Sequence, residues 1–501
     1  MISVRISELM AQSGVGFGTS GARGLATDMT DKVCYAYTLA FLKFLDESEN
    51  LPARKAVAIA GDFRPSTPRI MAAVATAIHD AGFEVIHCGF IPTPAVALYG
   101  ISRGIPAIMV TGSHIPDDRN GIKFYKTEGE ILKHDERAMT ARSVELPDST
   151  FEASGMLIMP LALPPIADEA RLQYIDRYIS FLAPNCLRGR RIGLYEHSSV
   201  ARDMLADILS GLGAEVARLG RSEQFIPVDT EAIRPEDVAL AKQWISEASA
   251  RDKPLDCIVS ADGDGDRPLV SDESGNWLRG DIAGILCARF LHAGYVATPV
   301  SCNSAVEKSG WFSHVERTRI GSPFVIKAMQ MAARAGAQNI VGYEANGGFL
   351  TQSDIELDGR TLAALPTRDA VLVPLVILQL AGAMNAPISA LLATLPQRFT
   401  ASDRLRNFPT EVSQLHLAKL GNGNEAARTR AAEGLLGEFF GKVKHVDTTD
   451  GIRVSFVSDE VVHFRPSGNA PELRCYTEAA SEARAMEINR ECMTLLASWR
   501  T

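Results

Sequence analysis

Positive charge in excess is what this chain most plainly lacks: 51 lysines and arginines stand against 60 aspartates and glutamates, a formal charge of -9. That balance excludes recognition of nucleic acid through a broad basic face, so any anionic ligand must be met by local cations. No CxxC pair occurs among the eight cysteines (Cys34, Cys88, Cys186, Cys257, Cys287, Cys302, Cys475 and Cys492). Their scatter argues against a zinc site and a disulfide framework, and fits a reducing, cytoplasmic setting. A bilayer-length apolar run is missing too. The longest candidate, AVLVPLVILQLAGAM from Ala370, is short and carries Pro374 and Gln379, which predicts a packed core helix and no membrane attachment. The opening residues MISVRISELMAQSG have no basic segment followed by an apolar core, so no secretion signal is expected.

What is present is an ordinary globular composition, 46% hydrophobic and 22% charged, over 501 residues. That length predicts roughly three or four domains of about 100 to 200 residues each. From residue 57 to 110 the order is strand (VAIAG), helix (69–80, stopped by Gly82), strand (FEVIHCG) and strand (IPAIMV). The cadence returns with IGLY, a helix from Ala201, AEVARL and LDCIVS. It returns again with TPVSC, HVERTR, a helix from Pro323 and NIVGYE. These are three parallel-type α/β units in succession. After the helical EAARTRAAEGLLGEFF, the short runs VKHVD, GIRVSFV, VVHFRP and LRCYTE precede a last helix, which reads as α+β with an antiparallel sheet. The segments MPLALPPIADEA and LPQRFTASD are expected linkers.

Several segments carry chemistry. In IPAIMVTGSHIPDDRNGIKFY, Ser113 and His114 follow a buried strand, where open α/β sheets place their ligands. The pattern T-G-S-H-I is not the G-x-S-x-G elbow of a serine hydrolase, and adjacent residues seldom form a nucleophile–base pair. It suits a serine that carries a phosphoryl group, with Thr111 near its oxygens and Lys123 as a proton donor; the competing reading is a plain strand-end loop. In ADGDGDRPLVSDESG, Asp262, Asp264 and Asp266 crowd into five residues, a repulsion that a hard cation relieves. An EF-hand is disfavoured because Arg267 holds the sixth position, where the loop needs glycine, although Glu273 falls at the twelfth. Flanking strands rather than helices point the same way, and Mg²⁺ is the expected ion. In VGYEANGGFL, Glu344 and Asn346 could take sugar hydroxyls, although Asn-Gly-Gly is also a common turn. In FRPSGNAPELRCY, Arg465, Ser467, Gly468, Asn469 and Arg474 form a candidate phosphate cradle, against the alternative of a hairpin turn with incidental arginines. Arg23 in FGTSGARG and Arg64 in GDFRPSTP, taken singly, each read as a turn with a surface arginine.

In order along the chain, FGTSGARG, TGSHIPDDRNGIKF, DGDGDR, YEANGG and RPSGNAPELR resemble the α-D-phosphohexomutase superfamily of phosphomannomutases, phosphoglucomutases and phosphoglucosamine mutases. The resemblance implies three similar α/β domains with mixed or parallel sheets plus a C-terminal α+β domain around a central cleft, divided here as 1–155, 165–275, 276–390 and 398–501. It also implies a phosphoryl group carried on Ser113, with Mg²⁺ held by Ser113, Asp262, Asp264 and Asp266. Arg23, His114 and Lys123 would serve transfer, Lys123 being the candidate general acid and base. Arg267, Glu344, Asn346, Arg465, Ser467, Gly468, Asn469 and Arg474 would bind a hexose phosphate, with a bisphosphorylated hexose as intermediate and activator. Two departures bear on the sugar: Asn346 and Gly348 stand where many members have serine and histidine, and Ser467-Gly468-Asn469-Ala470-Pro471 replaces S-G-T-E-P. TGSHIP with DRNG and KFY looks most like bacterial phosphomannomutases feeding GDP-mannose, with phosphoglucomutase and phosphoglucosamine mutase as alternatives. A phosphatase built on Ser113 and a non-catalytic sugar-phosphate or metal-binding protein are the rivals from other classes. A monomer or homodimer is expected.

Overall fold

The computed structural model describes residues 1–18, 21–47, 54–147, 149–467 and 471–500. Four sheets carry the architecture. The first runs, in spatial order, Gly16–Phe17, Ala22–Leu25, Arg119–Lys126, Ala107–Val110, Ala56–Gly61 and Glu84–His87, with Gly129–Glu130 paired off this path to Arg119–Lys126. Ala56–Gly61 is parallel to both Glu84–His87 and Ala107–Val110 and is buried along its whole length, as helices on both faces require. The helix Thr67–Asp80 buries one long face beneath it. In the second sheet Arg191–His197 lies between parallel Glu215–Arg221 and Cys257–Ala261, and Pro268–Val270 adds an antiparallel edge. The third orders His314–Thr318, Tyr295–Pro299, Ile340–Tyr343, Phe349–Thr351 and Leu365–Asp369.

The fourth sheet is wholly antiparallel: Phe399–Arg406, Glu472–Ala479, Val461–Pro466, Ile452–Phe456 and Val443–Asp447. Three α/β units and one α+β unit therefore make up the chain. Two sequence expectations change. LPQRFTASD is not a simple linker, because Phe399–Arg406 pairs over eight residues with Glu472–Ala479; its alternating polar residues are those of a half-exposed edge strand. The strand expected at TPVSC is Tyr295–Pro299, and Val300 and Cys302 lie in the loop at its end. The apolar segment from Ala370 forms the helix Leu372–Ala383, with Pro374 in its first turn, where no amide hydrogen is needed. No helix among the described residues is long and apolar enough to cross a membrane.

One construction recurs in all four units. Each sheet contains a strand followed by an antiparallel partner: residues 111–118, 262–267 and 344–348 join such pairs, and the chain between Val461–Pro466 and Glu472–Ala479 is the fourth such connection. The four segments singled out for their chemistry are these four connections.

Candidate active site

The serine connection is built around a buried arginine. Arg64, 1% exposed, donates from its guanidinium to the carbonyls of Ser113 (2.7 Å), Ile115 (2.6 Å), Pro116 (2.5 Å) and Arg119 (2.9 Å), and to Asp62 Oδ2 (3.0 Å). Thr111 Oγ1 donates to the same Asp62 oxygen (2.7 Å) and accepts from Ser113 N (2.7 Å). A Cβ at Gly112 would meet Arg64 Cζ at 2.6 Å, so only glycine lets the loop close on this guanidinium. The result is a serine at φ +57°, a left-handed conformation that non-glycine residues adopt only when their surroundings impose it. Arg64 is thus not the surface arginine its turn-like context suggests. Its carbonyl-gathering role was invisible because those carbonyls lie some fifty residues away in sequence.

Ser113 Oγ donates to Asp262 Oδ2 at 2.6 Å, and His114 Nδ1 lies 3.4 Å from the same hydroxyl. Asp262 Oδ1 accepts the amides of Asp266 (3.1 Å) and Arg267 (3.2 Å), which folds the acidic connection back on itself. Thr93 and Lys123 both donate to Asp264 Oδ2 (each 2.6 Å), and Lys123 also reaches Asp266 Oδ2 (2.7 Å). Oδ1 of Asp264 and Oδ1 of Asp266 are buried without a hydrogen-bond partner. Ligand oxygens of the three carboxylates lie within 4.8 Å of one another. Unpartnered anionic oxygens converging beside a hydroxyl fit a hard divalent cation, so the residues present can hold one. Glu273, by contrast, bonds Ser389 through its side chain and belongs to a different contact.

The electrostatics are those of a dense ion cluster out of water. Burial, with the charges of Asp264 and Asp266, pushes the Asp262 carboxyl well above its usual range. Burial also opposes ionisation of Asp266, but Arg368, Lys123 and Arg267 outweigh it and hold that carboxyl far below the usual range. Arg23 is lowered to about 10, first by burial and then by Arg267 and Arg368. Burial together with Arg267 keeps His114 well below its ordinary value. Arg267 Nε sits 3.6 Å from Asp266 Oδ1 and 3.9 Å from Asp262 Oδ2.

The sugar-loop residues arrive through two links. Arg368 donates to Asp266 Oδ2 (2.7 and 3.1 Å) and to Glu344 Oε2 (3.1 Å), joining the acidic and EANGG connections. Thr230 Oγ1 donates to the Asn346 carbonyl (2.7 Å), while Asn346 Oδ1 accepts from Gly348 N (2.9 Å) and shapes its own loop. In the fourth unit Arg465 bonds Asp450 Oδ2 (3.0 Å) and Arg474 bonds Glu472 (3.2 Å). Ser467 is buried, and Gly468 and Asn469 lie outside the described residues. The carboxyl of Glu231 is raised by desolvation and by Asp229, and feels the opposing charges of Arg267 and Arg474. The stretch 224–234 therefore borders three of the connections, and Phe225 also stacks its ring 4.1 Å from the Arg64 guanidinium. Sequence reasoning missed this stretch and Arg368. The one available signal was Arg368 itself, a charge inside the apolar run LPTRDAVLV.

A three-plus-one domain fold whose first three units bring a serine, an acidic triad, a glutamate and several cations together defines a class, and comparison with known proteins identifies it. Family profiles described as phosphoglucomutase/phosphomannomutase match residues 14–147 (α/β/α domain I), 279–399 (α/β/α domain III) and 418–495 (C-terminal domain). A phosphomannomutase of Salmonella muenchen is 45% identical over 481 residues, 96% of this chain and 95% of that protein. One from Sinorhizobium fredii (strain NBRC 101917 / NGR234) is 42% identical, covering 97% and 99%. The crystal structure of a phosphoglucomutase/phosphomannomutase family protein from Burkholderia thailandensis shares the fold, with a TM-score of 0.70 at 20% identity over 96% of this chain and 97% of that one. The chain belongs to the phosphoglucomutase/phosphomannomutase family of the α-D-phosphohexomutase superfamily.

Proposed function

We propose that this enzyme is a phosphomannomutase, an intramolecular phosphotransferase that moves phosphate reversibly between O6 and O1 of mannose phosphate. The observation that carries the reading is the 2.6 Å contact of Ser113 Oγ with Asp262, across 149 residues of sequence, inside an acidic triad with unpartnered oxygens. Two relatives that are 45% and 42% identical over nearly the whole chain bear that name.

Ser113 carries the phosphoryl group. Asp262, Asp264, Asp266 and the Ser113 oxygen would hold Mg²⁺, which when bound supplies charge stabilisation to the transferring group. The free hydroxyl of the hexose phosphate forms a bond to phosphorus as the bond to Ser113 Oγ breaks. The hydroxyl proton passes to a base while Ser113 Oγ, the leaving oxygen, takes one up; in the return step Ser113 Oγ gives its proton up as it attacks and the departing sugar oxygen receives one. Lys123 is the proposed proton carrier, and His114, whose Nδ1 lies 3.4 Å from Ser113 Oγ, is a second candidate beside that oxygen. The bisphosphorylated hexose then turns over in the cleft and returns its other phosphate to Ser113. Arg23 and Arg267 offset the negative charge, about -1.5 to -2 on the phosphoserine alone. Glu344 and Asn346 take sugar hydroxyls, while Arg465, Ser467, Gly468, Asn469 and Arg474 hold the phosphate that is not reacting. Closure of the fourth domain excludes water, which would otherwise accept the phosphoryl group. The reading assigns domains as 1–155, 165–275, 276–390 and 398–501, a hexose phosphate substrate, a cytoplasmic setting and a monomer or homodimer.

A panel of mannose, glucose and glucosamine 1-phosphates, with products identified by NMR, tests it. Mannose 6-phosphate should form, stimulated by a trace of bisphosphorylated hexose, with glucose phosphate a weaker substrate. Ser113→Ala should lose turnover by about 10⁴-fold or more while still binding substrate. Reaction of glucosamine phosphate alone, steady release of inorganic phosphate, or full activity in Ser113→Ala would overturn it.

A further inference from the structure

Gly348 stands where many superfamily members carry histidine, and the structure shows what fills the space. A Cβ on Gly348 would lie 2.5 Å from Cδ, 2.7 Å from Cγ and 3.0 Å from Cβ of Arg368. Any side chain at 348 would therefore displace the arginine stem. Arg368 comes from Leu365–Asp369, the strand paired antiparallel with Phe349–Thr351, and all five of its residues are buried. A buried guanidinium is tolerated only with close partners, and these partners are the acidic triad's Asp266 and the sugar loop's Glu344. The strand is itself pinned: Asp369 accepts from Tyr174 Oη (2.8 Å), Tyr178 Oη and Val371 N (2.8 Å).

We propose that Gly348 and Arg368 act as one unit, a glycine that clears space and an arginine that fills it, which fixes Glu344 relative to Asp266 and so sets how a sugar hydroxyl meets the reacting phosphorus. Arg368 is a positioning residue that works through these two carboxylates. A planar fork can hold both in fixed geometry, whereas an ammonium at the same position cannot. The same unit explains a sugar loop with no bulky side chain of its own, since the cation is delivered from the neighbouring strand. The inference deepens the phosphohexomutase reading and rests on it.

Calorimetry in a Ser113→Ala background, with mannose 1-phosphate and Mn²⁺ as separate probes, reads the effect without turnover. Arg368→Lys should weaken sugar-phosphate binding by about tenfold or more and Mn²⁺ binding to a lesser degree. With Ser113 intact, the same substitution should raise KM more than it lowers kcat. Gly348→Ala should also weaken sugar-phosphate binding, but adding it to Arg368→Ser should change nothing beyond about twofold, because the clashing stem is already gone. Sugar-phosphate binding by Arg368→Lys within twofold of its parent, or an equal Gly348→Ala penalty with and without the arginine, would overturn the proposal. Should Arg368→Lys fail to fold, the two Gly348→Ala measurements decide alone. Loss of mutase product in the unsubstituted enzyme would instead strike the underlying function, leaving the binding measurements to judge Arg368.

Discussion

The first three units and the fourth are held together by different physics. One apolar cluster runs through the first three: Ala58 and Met109 of the first sheet, Ile192 and Val259 of the second, and Val296 and Val341 of the third all belong to it, as does the helix that contains Leu375. The fourth has a separate core, from Phe408 and Leu417 to Leu496 and Trp499. It meets its neighbour through polar contacts. Glu478 takes Ser304 N (3.0 Å) and Ser304 Oγ from the third unit, besides Arg398 Nε (2.6 Å) of its own; Asp450 takes the Ile320 amide (3.0 Å); Lys308 pairs with Asp459 (3.1 Å). Bonds that demand fixed geometry, Ser113 to Asp262 and Arg368 to Asp266 and Glu344, all lie within the shared core. The phosphate-loop arginines, which in the proposed reaction hold only the distal end of the substrate, sit on the unit with the polar interface. Polar interdomain contacts open and reclose more readily than a common hydrophobic interior, and that division matches a rigid reacting centre with a hinged cover.

The comparison breaks most severely if the shared region can lose its central arginine. Arg64→Met should leave Asp62 and the Ser113 carbonyl buried without their donor, and three partly exposed loop carbonyls unbonded, costing about 3–5 kcal/mol of stability and releasing the strained Ser113 backbone. Chemical denaturation and turnover should fall together. A variant with near-normal stability would show that the loop holds its shape by other means and that the rigid centre is less rigid than its bonding implies.

A smaller effect should follow at the hinge. Glu478→Gln keeps one acceptor but weakens the charge-assisted bonds from Ser304 across the seam and leaves Arg398, at the start of the fourth unit, without its countercharge, a loss of about 1–3 kcal/mol confined to the fourth unit and its docking. Calorimetric unfolding should resolve an early transition for that unit while the main transition stays in place. The pH dependence has a definite sign. Although burial alone would raise it, bonding from Ser304 and Arg398 holds the Glu478 carboxyl below its ordinary 4.5. A depressed acid contributes stability that is fully present above the unfolded value and is lost as pH falls through the folded one. Docking should therefore loosen below about pH 4.5, and the Gln variant should lose that acid dependence. Unchanged, coincident transitions in Glu478→Gln would erase the distinction between the two regions.

Sequence and structure agree best where function is local. The alternation of strand and helix, the serine loop and the acidic loop could be read directly, because each is a contiguous pattern with its own chemical logic. The residues that join the loops could not. Arg64 reaches carbonyls some fifty positions away, and Arg368 reaches Asp266 across 102. The segment LPQRFTASD reads as a linker because half of the edge strand Phe399–Arg406 that begins within it faces water, which erases the apolar rhythm. Contacts between distant segments leave only indirect traces in a sequence, such as a charge in a buried run or a glycine where a side chain is usual. Gly348 and Arg368 supply one of each.

The smallest effect is the sharpest control on the hinge. Lys308 and Asp459 also bridge the third and fourth units, at 3.1 Å, but their side chains are 35% and 51% exposed. Solvent screening and the entropy of two long side chains reduce such a pair to about 0.5 kcal/mol or less, and salt reduces it further. Lys308→Ala should therefore leave the early transition within about 2–4 °C of the parent, on the scale by which 1 kcal/mol moves a small domain's midpoint by about 4–8 °C. If Lys308→Ala loosened the fourth unit as much as Glu478→Gln, the interface would be a diffuse field of surface charges. Docking would then depend on ionic strength throughout, and no single buried carboxylate would govern the hinge.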